Sequence, residues 1–96
     1  MTLMKNPSHP GEVLEELYLG PLDMSPIALA RRLHVPRTRI ERLVKAETAL
    51  TVDTAMRLAK FFRTTPEYWM NLQRAWDLAR ARDTVDVSGI TPLETA

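Results

Sequence analysis

Residues 26–45 read PIALARRLHVPRTRIERLVK, and the spacing of their apolar side chains decides the fold. Leu29, Ala30 and Leu33 share one helical face, a break follows at His34-Val35-Pro36, and Ile40, Leu43 and Val44 form a second face. Two short helices meeting at about 90–120° need this pattern. Ala30 supplies a small side chain where the helices cross, Val35 plugs the turn, and Ile40 and Leu43 hold the second helix down. The polar positions left over are Arg37, Thr38, Glu41 and Arg42. They share the outward side near the N-terminal end, where a recognition helix meets base edges in the major groove of DNA.

Charge follows the same segment. The chain carries 13 basic and 12 acidic residues, so the total says nothing about partners. The distribution does. Residues 1–24 hold one lysine against four acids, residues 25–63 hold nine cations against three acids, and residues 64–96 hold three arginines against five acids. A one-signed excess confined to the reader and the helix after it is the footprint expected for phosphate contact.

Ninety-six residues, 45% of them apolar, allow one small domain. With no cysteine, disulfides, thiol nucleophiles and cysteine zinc sites are excluded. No apolar run spans a bilayer and residues 1–10 lack the apolar stretch of a secretory signal, so a cytoplasmic protein without membrane contact is expected. Two histidines in separate segments give no metal site. Ser8, Ser25 and Ser88 have no histidine at a recognisable spacing, and three glycines make no phosphate loop. The expectation is a protein that is not an enzyme, with no cofactor and no small-molecule substrate.

Five helices follow from their start signals, giving an all-α fold with little strand-like alternation outside Val85-Asp86-Val87. Pro10 opens the first helix, which runs to about Leu19 before Gly20-Pro21. Ser25 caps the second ahead of Pro26, and Val35 or Pro36 opens the third, ending near Lys45. Thr51 caps a fourth over residues 52–62, with Asp53 in its first turn favouring the helix dipole. Thr65-Pro66 opens a fifth that runs to about Arg82. Core faces are Val13, Leu14 and Leu17 on the first helix and Ala55, Leu58, Ala59 and Phe62 on the fourth. The fifth offers Trp69, Leu72, Trp76 and Ala79. The chain divides into an arm (1–8), a helical domain (9–82) and an extended C-terminal tail (83–96).

Among the reader's residues, Arg37 and Arg42 fit guanine, to which arginine makes two parallel hydrogen bonds. Thr38 suits a thymine methyl or a phosphate, and Glu41 suits cytosine or holds an arginine in place. Arg37 and Glu41 are also spaced to pair with each other. Arg39 and Lys45 point to the flanks and suit phosphates, as does Thr51 at a helix start. One reader covers too few base pairs to find a single operator, so a two-fold homodimer is expected. Trp69 and Trp76 are surplus aromatic area that either completes the core or faces a second copy, and with Val85 and Val87 they are the expected dimer contact.

The span from His9 to about Asp77 resembles the HigA-type antitoxins, a branch of the phage-repressor-like (XRE) helix-turn-helix family. The resemblance rests on His9-Pro10-Gly11-Glu12, Leu29-Ala30-Arg31, Val35-Pro36-Arg37-Thr38-Arg39-Ile40, Leu50-Thr51 with Asp53-Thr54-Ala55, and Pro66-Glu67-Tyr68-Trp69-Met70-Asn71-Leu72-Gln73. The last of these looks like the family's W-x-N-L-Q box. The resemblance implies a five-helix phage-repressor-like domain that dimerises, binds operator DNA in its own promoter and neutralises a ribonuclease toxin. Three positions depart from the family pattern. His34 replaces the usual turn glycine, Pro26 stands where a glutamine clamps phosphate, and Lys45-Ala46-Glu47-Thr48-Ala49 replaces a glycine-containing turn. Two other readings accompany this one: a solitary repressor with no toxin partner, and an interaction module that has lost DNA binding.

Overall fold

The computed structural model describes residues 7–94, which form five helices and no strand. Helix α1 covers residues 10–22 in three parts: α-helical Pro10–Val13, a π-helical stretch Leu14–Leu19 and a final α-helical turn Gly20–Leu22. Then come α2 (Pro26–Leu33), α3 (Arg37–Val44), α4 (Val52–Phe62) and α5 (Pro66–Thr84). Helix α2 packs on α3 and α4, α4 packs on α5, and α1 lies across α3 and α5.

The helix starts follow the sequence closely. Ser25 Oγ accepts from the Ala28 amide at 3.1 Å, Thr51 Oγ1 from Thr54 at 3.3 Å and Thr65 Oγ1 from Tyr68 at 3.1 Å. Each satisfies an amide that the first helical turn leaves unpaired. The helix ends share a device that composition does not announce. Asp23, His34, Ala46 and Arg63 all adopt left-handed backbone, with φ between 53° and 62°. After each, the next amide reaches back to a carbonyl five residues earlier. Examples are Val35 to Ala30 at 3.0 Å and Glu47 to Arg42 at 2.9 Å. This is the Schellman closure, which usually uses glycine at the left-handed position. His34 and Ala46 thus make the turns without it.

The first helix corrects the sequence reading. It continues through Gly20-Pro21 to Leu22, and Leu17 is 63% exposed rather than part of the core. The cause is the π stretch, in which the Gly20 amide bonds to the Glu15 carbonyl five residues back. The wider turn places Leu14 and Leu19 on the core face, both fully buried, and rotates Leu17 to solvent. Tyr18 moves inward instead. Its ring lies 4.7 Å from Phe62 and 5.1 Å from Trp69, and its hydroxyl donates to that of Tyr68 at 3.3 Å. Burial pushes the Tyr18 phenol up to about 12.

The remaining core is the expected one: Leu29, Ala30, Leu33, Ile40, Leu43, Ala55, Leu58 and Ala59 are buried, and Val35 packs against them. Trp69 is fully buried, and its indole N–H donates to Thr64 Oγ1 at 2.7 Å. Its surface is used up inside its own protomer, so it is not a dimer contact. Trp76 is half-buried, Pro7 joins the buried set, and α5 extends two residues past Arg82. The rest of the expected arm, residues 1–6, lies outside the described residues.

Gly11 is where two helices meet most closely. A Cβ built on it would lie 1.7 Å from the Leu43 carbonyl oxygen and 2.6 Å from its carbon. Both are backbone atoms, so no rotamer relieves the clash. Gly11→Ala is therefore expected to cost at least about 3 kcal/mol, the upper end for overpacking a core, seen as a lowered denaturant midpoint. Gly89→Ala, with nothing within 4 Å of the added carbon, serves as the control and should leave the midpoint unchanged.

Candidate nucleic-acid interface

Helix α3 buries Ile40 and Leu43 and half-buries Val44. At about 100° per residue, the direction opposite those three is occupied by Thr38, Arg42 and Lys45, all exposed. Arg37 and the half-buried Glu41 flank them on one side, and Arg39 on the other. Three of the four expected base readers, Thr38, Glu41 and Arg42, lie on the outer half of the helix, and Arg37 falls near the Val44 edge. Thr38 and Arg42 are central, together with Lys45, which the sequence spacing puts on a flank, and Glu41 is lateral. No ion pair joins Arg37 to Glu41 among the described residues.

Thr38, Arg39 and Arg42 line a depression of about 390 Å³ together with Thr48, Ala49 and Thr51. It runs between α3 and the start of α4. Thr51, expected at a phosphate, spends its hydroxyl on the Thr54 amide and hydroxyl, at 3.3 and 3.2 Å. It remains exposed at the rim. Arg39 is less free than the sequence suggests, because its guanidinium pairs with Asp53 on α4. Asp53 also accepts from Arg57 Nε at 2.9 Å, and Arg57 donates to the Leu33 carbonyl at 2.8 Å. The chain of contacts ties α3 to α4 and α4 to the C-terminal end of α2. The two guanidinium groups hold the Asp53 carboxyl below its ordinary range. Sequence spacing could not reveal the Arg39 pairing, whose partners are fourteen residues apart.

Two residues outside the reader hold its far end in place. His9 is the N-cap of α1: its Nδ1 accepts from the Gly11 amide at 2.9 Å while Glu12 Oε1 accepts from the His9 amide at 3.0 Å. This is a reciprocal cap with histidine in the usual serine or threonine place. The H-x-x-E spacing carries the signal. The imidazole also lines a depression with Thr48 and lies edge-on to Trp76 at 5.2 Å. Gln73, only 4% exposed, accepts from the Leu50 amide at 2.7 Å and donates to Asp77 at 2.9 Å. Together they strap the connection between α3 and α4 to α1 and α5. The glutamine of the W-x-N-L-Q box therefore has a structural task, and its tryptophan is the core residue Trp69.

Residues 14–69 match the helix-turn-helix family. Virulence-associated protein I of Dichelobacter nodosus is 43% identical over 88 residues, which span 91% of this chain and 82% of that protein. An addiction module antidote protein of the HigA family from Coxiella burnetii has a structure similar at TM-score 0.84 and 44% identity, covering 92% of this chain and 99% of that one. PA4674 of Pseudomonas aeruginosa, solved in complex with its operator DNA, is similar at TM-score 0.86 and 37% identity, over 92% of this chain and 98% of that one.

Burial lowers the His9 pKa, outweighing the attraction of Glu12 and Asp77 for its proton. The unfolded chain therefore binds a proton that the folded chain excludes. Stability is complete above the ordinary histidine pKa and falls as pH drops through it toward the lower folded value. Denaturation midpoints measured from about pH 7.5 to pH 5 should fall, and His9→Asn, which keeps a capping oxygen, should flatten that trend. An equally steep fall in the variant would place the titrating group elsewhere.

Proposed function

This chain belongs to the helix-turn-helix family, and from that membership we propose that it is a sequence-specific DNA-binding antitoxin that represses its own operon as a dimer and neutralises a ribonuclease toxin. The observation that carries the DNA reading is the outward face of α3. Thr38, Arg42 and Lys45 stand exposed there, with no hydrogen bond or ion pair from the side chains of the described residues. The HigA-family antidote and the operator-bound relative support the same reading.

In this reading, Arg37, Thr38, Glu41 and Arg42 address base edges, and Lys45, Arg39 and the start of α4 at Thr51 address phosphates. Arg39 exchanges Asp53 for a phosphate oxygen on binding. Two protomers present their α3 helices about 34–36 Å apart to a palindrome. The reading faces stay free, so the protomers meet through the outer part of α5, including the half-buried Trp76, and through Val85 and Val87. The toxin partner follows from the resemblance to HigA-type antitoxins.

A dimer that neutralises about eight phosphates loses affinity with salt at a log–log slope near −7. Fluorescence titrations of the upstream DNA across a salt series measure it, and a slope shallower than about −2 would remove the basic segment as the contact surface. In the same titrations Arg37→Ala should cost about 1–3 kcal/mol at the specific site only. Lys45→Ala should weaken specific and random DNA alike. Equal losses on both DNAs from Arg37→Ala would take it out of base reading.

The toxin half is tested separately. The reading frame beside this gene is induced alone and then with this chain. Growth arrest relieved by coexpression supports it, and arrest that persists beside a soluble, folded antitoxin overturns it.

A further inference from the structure

Residues 85–94 are exposed throughout, and Val85, Val87, Ile90 and Leu93 are 58%, 59%, 70% and 88% accessible. The segment keeps a local shape. Asp86 accepts from the amide and hydroxyl of Ser88 at 2.9 and 2.7 Å, and the Ile90 amide donates to the Val87 carbonyl at 3.0 Å. Four large apolar side chains on ten residues that stay clear of their own body call for a cover. The segment is also acidic: from residue 83 onward the chain has Asp83, Asp86 and Glu94 and no lysine or arginine.

Charge discriminates among the exposed apolar surfaces that could receive it. On α1, Leu17 and Leu22 sit among Glu15, Glu16 and Asp23, which repel an acidic segment. Between α2 and α4 the sign reverses. A groove of about 590 Å³ has Leu33, Met56 and Phe61 in its walls and Arg32 and Lys60 at its edge. Met56 is 56% exposed, and the Arg32 guanidinium lies 4.9 Å over the Phe61 ring, holding a cation beside the apolar wall. Asp53, the acid in this groove, is occupied by Arg57 and Arg39. Arg32 and Lys60 form no ion pair among the described residues.

We propose that the α2–α4 groove receives residues 83–94 of a second copy, each protomer's tail lying in the other's groove. The inference rests on the dimeric reading above and names the surface through which the tails act. Extended backbone sends alternate side chains to opposite sides. Val85 and Val87 therefore meet the apolar wall together while Asp86 turns to the cationic edge. Opening the turn at residues 87–90 lets the ten residues reach about 33 Å, enough to cross onto a neighbouring body. Two-fold symmetry makes the exchange reciprocal, so it closes at two copies.

Charge reversal in trans tests it. One variant reverses the groove (Arg32→Glu with Lys60→Glu) and another reverses the tail (Asp83→Lys with Asp86→Lys). All four positions are exposed, and circular dichroism checks that both variants fold. Each alone should dissociate at least tenfold more readily than the unmodified dimer in sedimentation equilibrium, as should a chain ending at Thr84. An equimolar mixture of the two reversed variants should dimerise like the unmodified chain, because each reversed element then meets an opposite charge. A groove-reversed protein as tightly dimeric as the original, or a mixture no tighter than its components, overturns the exchange and leaves the dimer standing. An unmodified chain that is monomeric at micromolar concentration overturns both.

Discussion

The approach of the first turn of α1 to the last turn of α3 sets the position of everything that faces outward. At Gly11 the two backbones are so close that a single methyl would overlap the Leu43 carbonyl. Close packing of this kind is stiff because neither side can move without disturbing buried neighbours. From that point the restraint spreads through polar groups. His9 caps the same turn, and Gln73 holds the Leu50 amide. At the other end of α3, Arg39, Asp53 and Arg57 form a surface chain reaching the Leu33 carbonyl. Exposed ion pairs contribute about 1 kcal/mol or less, so the buried end is the anchor and the exposed end is adjustable. A reader held in this way keeps its tilt while leaving Arg39 able to change partners.

Much of this was legible from local rules. Caps at Ser25, Thr51 and Thr65 and the apolar faces of α2, α3 and α4 depend on residues within one or two turns of one another, and they read correctly. The misreadings came from two sources. One was the assumption of a uniform helical period, which fails in the π stretch and put Leu17 in the core. The other was distance along the chain. Whether Trp69 is covered depends on Tyr18 and Phe62, and what Gln73 does depends on Leu50. A polar residue inside an amphipathic helix looks like surface until its partner is known. His9 lay between these cases, because its reciprocal bond with Glu12 is local but histidine is an unusual residue to find there.

The helix ends show a related economy. Asp23, His34, Ala46 and Arg63 hold left-handed backbone that glycine would accept more easily. Asp and His visit that region more readily than most residues. For Ala46 and Arg63 the surrounding hydrogen bonds must supply the difference. In exchange, the unfolded chain is stiffer than a glycine-rich one and loses less entropy on folding. The one glycine the packing cannot spare, Gly11, serves contact rather than backbone freedom.

The π stretch of α1 has a consequence for chain length. A helix with a wide turn holds one residue more than an ordinary helix needs between the same two anchors. Loss of a single residue from positions 15–17 would close that turn and bring Leu14 and Leu19 from five apart to four, the usual spacing for neighbours on one face. The capped start at His9 and the left-handed end at Asp23 would keep their places. In α3 a deletion would rotate every side chain beyond it away from its target. A single-residue deletion is therefore absorbed in the first helix of this fold and refused in the third.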